Sequence, residues 1–408
     1  MKKNRQRLGR PDAMKVLREA RPGELDPSRL VDPARQRGDL ARIVTEQADG
    51  HVTGLLAPRR RSGFRPLGAV ALAAVAASVV VVGALDRQPA DRPAVQPQAS
   101  VAAVQPGGSE DVRVDGHLEL LGAAEKAESS AAEGTYWQTT TRSENVDVAG
   151  EEGRLFAVRS TSTEEWSVGV RPGTGSLMVS GLDAVTEPRT AVDRARWRAA
   201  GSPGTVRVEA ATGTGKNAID YPMGTGRPTV MRTNIDDRIY AVGSHNISYQ
   251  ALRELPSTSD GLRRYLERLH AEDHGAGTGA AGRSAWMLRQ AADLVTMPVK
   301  PGVRAAAYRM MADLPGVRVI GHVHDPLGRE GVAVEFPLTY RTPLGTTQQQ
   351  LVVDPSTGAM LSEQVVLVKA SARAREAGLD AGMTVNYSAT TLMSWGERQI
   401  TVPENARG

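Results

Sequence analysis

The chain of 408 residues contains no cysteine. That excludes disulfides, thiol catalysis, thiolate zinc sites and anchoring through a lipid-modified cysteine. Aromatics are scarce, at 4% with only three Phe. Charge of one sign is also lacking: the net charge is +4, and the basic residues gather before residue 66. A strongly basic nucleic-acid surface is therefore not indicated, and no nucleic-acid partner is expected. No Gly-x-Ser-x-Gly elbow occurs anywhere, which removes one route to nucleophilic catalysis.

What is present is one long apolar run, Leu67 to Leu85, 19 residues without a charge. As a helix it would reach roughly 28 Å, close to a ~30 Å hydrocarbon core. Arg59, Arg60, Arg61 and Arg65 crowd its N-terminal side, while Asp86 and Asp91 dilute Arg87 and Arg92 on the other. Positive-inside logic then puts the N-terminus in the cytoplasm and the C-terminal part outside. A cleaved signal peptide would start near its basic region, whereas 66 residues precede this run. The expectation is a single-pass cell-membrane protein with the bilayer as its first partner.

Four regions follow. Residues 1–66 form a cytoplasmic segment with short helical patterns, suited to a cytoplasmic regulatory protein. Residues 67–85 are the span, whose small residues Ala69, Ala73 and Ala77 recur every four positions and predict a weak homodimer. Residues 86–111, with Pro89, Pro93, Pro97 and Pro106, read as a linker. Residues 112–408 read as one extracytoplasmic domain.

Within that domain the pattern predicts a helix at 117–130, strands at 136–142, 154–170, 176–180 and 205–208, and a helix at 188–199. Residues 209–230 read as a long loop. Helices are expected at 261–270, capped from within 257–260, and at 284–297 and 302–314. Two hairpins are expected across DPLGRE and DPSTGAM, with a closing strand at 385–394. The fold class expected is α+β, an antiparallel sheet packed by helices, with an open half-barrel as one form of it.

The runs LREARPGELDP, SDGLRRYLERL and LVVDPSTGAMLSEQVVLV, with the Arg-rich approach to an Ala/Val span, resemble a family of uncharacterised actinobacterial single-pass membrane proteins. Members accompany sigma-factor regulatory systems, so the resemblance implies envelope signalling. The helix-and-sheet pattern is also similar to the half-barrel of periplasmic lipoprotein carriers and stress sensors. Neither resemblance carries a catalytic residue or a cofactor.

Individual motifs are weak. Residues 210–217 lack two positions of a phosphate loop, with Ala210 for Gly and Asn217 for the magnesium-binding hydroxyl. His322 and His324 share one strand face with Asp325 next to them, and His270 and His274 lie one helical turn apart beside Glu272 and Asp273. Neither set has the spacing of a zinc motif, so solvated surface explains both. Glu164 and Glu165 point to opposite strand faces. Trp137, Trp166, Trp197, Trp286 and Trp395 are expected in the core. No catalytic, cofactor or metal residue is assigned. The expected function is non-catalytic binding or sensing of an envelope protein or apolar ligand. A carrier of an apolar or lipid ligand is the alternative, and a cell-envelope hydrolase the third reading.

Overall fold

The computed structural model describes residues 111–171, 174–209, 218–234, 238–273, 277 and 279–407. Strand accounts for 44% of the fold and helix for 28%. A ten-stranded antiparallel sheet runs β10 (Arg318–His324), β11 (Glu330–Thr342), β12 (Gly345–Asp354), β13 (Ala359–Ala370), β14 (Thr384–Gly396), β1 (Tyr136–Ala149), β2 (Phe156–Gly169), β3 (Gly175–Pro188) and β6 (Gly224–Thr225). The tenth strand, β7 (Thr229–Asn234), also pairs with β3. Two hairpins stand apart, β4 (Thr205–Glu209) with β5 (Ala218–Pro222), and β8 (Tyr240–Val242) with β9 (His245–Ile247). Antiparallel neighbours joined by turns explain most of the order, residues 371–383 joining β13 to β14 and residues 189–223 joining β3 to β6, and one seam pairs strands distant in sequence. There β14, near the end of the chain, pairs with β1.

Four of the helices pack on one face of this sheet, here called the inner face. They are α1 (Asp111–Glu128), α4 (Ser259–Glu272), α5 (Gly279–Thr296) and α6 (Pro301–Ala312), while α2 (Ala191–Ala199), α3 (Tyr249–Arg253) and α7 (Ala372–Glu376) are shorter. α6 is the hub. Val303, Ala305, Ala306, Ala307, Tyr308, Met310 and Met311 are all buried, so both sides of the helix meet protein. Its alanines let α1 and α4 approach closely, and Tyr308 donates to the carbonyl of Gly358 at 3.0 Å, pinning α6 to the β12–β13 turn. The main core lies between these helices and Val334, Phe336, Leu351 and Val353 of the sheet. A smaller core of Ala149, Phe156, Val158, Val206 and Val208 joins β1 and β2 to the β4–β5 hairpin.

This architecture corrects several expectations. The α+β class gives way to a mainly antiparallel-sheet fold, because stretches rich in Ser, Thr, Asn and Asp are strand where short strands and loops were expected. β1 runs on to Ala149 through the polar VDVA, and β3 continues to Pro188. β3 can do so by bending at Gly181 and Asp183, both with positive φ. Residues 218–230, expected as loop, carry β5, β6 and the start of β7. The single-pass membrane assignment, its transmembrane helix and the cell-membrane location are likewise not supported. Among the described residues no helix is long and apolar enough to cross a membrane. α1 and α5 reach 18 residues but carry charges along their length. The expected span at 67–85, with the segments before and after it up to residue 110, lies outside the described residues.

Candidate functional site

Partners across an antiparallel ladder share a face, so the register places side chains that lie far apart in sequence together. One row on the inner face joins Glu363, Ser388, Ser143 and Ser162. The next joins Asn386, Asn145, Ser160 and Thr186. On the other side lie Thr390, Thr141, Glu164 and Ser180. These polar rows run over β13, β14, β1, β2 and β3. They cover about 19 Å across the strands and roughly 14 Å from Thr141 to Asn145 along them.

Their contacts confirm the shared face. Asn386 Nδ2 donates to Asn145 Oδ1 at 3.0 Å, and Asn145 Nδ2 donates in turn to the Asp147 carboxylate. The hydroxyls of Ser160 and Thr186 are bonded at 2.9 Å, and Ser180 Oγ donates to Glu164 Oε2 at 2.7 Å. Burial pushes the Asp147 carboxyl up to about 6, the Asn145 bond opposing it in part. Burial raises Glu164 as well, against the pull of Ser180.

The polar rows are bounded at both ends by apolar packing. At one end Trp166 stacks on Tyr240 with centroids 6.1 Å apart, and Trp137 meets Trp395 edge to face at 5.1 Å. Trp137 Nε1 donates to the carbonyl of Thr296, tying α5 to β1. At the other end the β4–β5 hairpin lays Val206 and Val208 over Phe156 and Val158.

Along the third side α5 brings charge to the sheet. Arg289 Nη1 pairs with Glu363 Oε1 at 2.8 Å and its guanidinium lies 5.2 Å from the Phe336 ring centre. Gln349 Nε2 reaches the same Glu363 oxygen at 3.5 Å. Asp293 follows Arg289 by one turn. Burial pushes its carboxyl up to about 7; Arg289 pulls it down, and Glu363 pushes it further up. Arg289 Nη2 is buried and has no hydrogen-bond partner among the described residues. A buried donor of that kind calls for an oxygen from water or from a ligand.

The motifs singled out in the sequence fall elsewhere. His322, on the exposed edge strand β10, sits 3.7 Å from Glu119 and 3.6 Å from Glu330. Asp325 is not beside it as a ligand but holds a turn, accepting from the N–H groups of Leu327 and Arg329 and pairing with the Arg329 guanidinium at 2.5 Å. Among the described residues no group of three or more His, Asp or Glu is arranged to hold a metal. His270 packs edge-on against Trp286, while His274 and residues 210–217 lie outside the described residues. Glu164 does part from Glu165, and its bond to Ser180 puts it on the inner face. Trp137 is in the main core, with Trp166, Trp286 and Trp395 packed against it, and Trp197 packs on the smaller core.

Sequence reasoning missed Arg289, Asp293, Glu363, Asn145 and Asp147. One signal was available: Arg289 and Asp293 interrupt a helix whose neighbours Leu288, Ala292 and Val295 are apolar and buried. Comparison with protein-family models, with known proteins and with solved structures gives no match for this chain.

Proposed function

We propose that this chain is a non-catalytic binding module that takes a polar ligand on the inner face of its sheet. The observation that carries the reading is the register itself. Hydroxyl, amide and carboxyl groups from five strands share one face between two apolar covers. A core would place Val or Leu there, and half-buried polar rows give up stability unless another polar surface meets them. A carrier of an apolar ligand would need the opposite lining. Ser143, Ser160 and Ser180 bond to a backbone carbonyl, a threonine and a glutamate, and no histidine stands in these rows to serve as a base.

A thermal-shift screen of the full chain against neutral sugars, amino acids and short peptides tests this. At least one class should raise the melting temperature, and Ser143→Val with Ser388→Val should abolish that shift while the ligand-free protein still melts cooperatively. If no polar class shifts the wild type, or the double variant responds equally, the inner face is not the binding surface.

A further inference from the structure

We propose a second site, independent of the inner-face reading: the pocket between α1, the end of α6 and β10 binds a small, mainly apolar molecule bearing one hydrogen-bond donor. The pocket has a volume of about 490 Å³, within the usual range of small-molecule sites. Leu118, Met311, Leu314, Val317 and Val319 supply an apolar wall, and His117 is its one imidazole.

The wall is preformed. Gly116 lets α1 lie directly on Val319, where a Cβ would collide with that side chain. The turn after α6 is closed by Val317 N–H donating to Leu314 O at 3.3 Å, with Gly316 at φ +76°. Leu118 stays 57% exposed at the rim. Apolar surface left in water beside a concavity is a gain that an apolar ligand collects on binding.

His117 sets the polar requirement. Its Nδ1 lies 3.3 Å from the carbonyl oxygen of Ala312. A carbonyl only accepts, so Nδ1 carries the proton, and in the neutral ring Nε2 is left as an acceptor. The matching ligand is neutral, with one hydroxyl or N–H on an apolar body.

The probe is 1-octanol at pH 8, with octyl methyl ether as the same body without its donor. Binding to the full chain is followed by ligand-observed NMR and by the amide shifts of Val317 and Val319. Octanol should bind saturably, and the ether about three- to tenfold more weakly, the worth of one neutral hydrogen bond. His117→Phe should erase that difference. Ala312→Phe, which fills the pocket, should weaken both probes; if it does not fold, Leu118→Asp at the exposed rim takes its place with the same expected loss. Absence of saturable octanol binding, or binding unchanged in the pocket variants, overturns the site. An alcohol preference that survives His117→Phe overturns the assigned ligand chemistry.

Discussion

At the scale of single residues, two ionisable groups withdrawn from water matter most. Arg304 is 3% exposed and pairs with no carboxylate among the described residues. It donates instead to Val295 O at 2.8 Å, Met297 O at 3.0 Å and Ser130 Oγ at 3.3 Å, with its guanidinium 4.9 Å from the Trp137 ring centre. It thereby closes the end of α5 and holds α1 to α6. Arg304→Met should lose about 2–4 kcal/mol in urea unfolding, since it strands two buried carbonyls. Arg304→Lys should recover little, because an ammonium cannot reproduce the planar fork. Asp293 behaves differently. Its folded pKa of about 7 lies above the unfolded value of 3.8, so the native state holds a proton that the unfolded chain has released. Stability therefore falls as pH rises from about 4 to 7 and levels off above that. Asp147, at about 6, adds to the same slope. Asp293→Asn should flatten that slope and raise stability at pH 8 by about 1–2 kcal/mol, less than the full shift implies because the side chain is half-buried. Urea titrations at several pH values check it. None of this was legible from neighbours in sequence, because burial decides it.

At the scale of elements, the helices were the readable part. α4, α5 and α6 announce themselves by apolar residues three and four apart and by capping residues such as Thr258, whose side chain accepts from Gly261 N–H. The two hairpins β10–β11 and β12–β13 were equally plain, because turn residues sit between alternating runs. The extents of β1 and β3 were hidden, since nothing local marks VDVA as strand or Gly181–Asp183 as a bend within one. The inner-face rows were hidden for a further reason. Shifts in register at Thr140/Thr141, around Thr161–Glu164 and at Val365/Val366 decide which side chains meet, and bulges leave little trace in sequence. One small element repays attention. Thr190 and Asp193 form a reciprocal cap at the start of α2, and buried Asp193 also accepts from Ala157 N–H at 2.8 Å. Asp193→Ala should thus cost about 2–3 kcal/mol, more than Thr190→Ala at about 1 kcal/mol, because it also strands a buried strand amide. Chemical unfolding of both variants ranks them.

At the scale of the whole molecule, the sheet is two runs of strands stitched at β1 and β14. β10 to β14 and β1 to β3 are each contiguous in sequence, and only that pairing, Tyr136↔Gly396 to Asn145↔Asn386, makes them one sheet. The helices reinforce the seam through the bond from Trp137 to Thr296. Removing residues 384–407 should then cost both halves their cooperativity, seen as loss of amide protection in β2 as well as β13. Persistent protection in either half would show it to be an independent unit. The seam also has a consequence during synthesis. β14 leaves the ribosome roughly 235 residues after β1 is complete, a delay of about 12–47 s at 5–20 residues per second. For that interval β1 offers an unsatisfied strand edge beside its paired β2, and any nascent copy on a neighbouring ribosome offers the same one. The protein's yield in a cell is thus tied to whatever occupies that edge before its own last strand arrives.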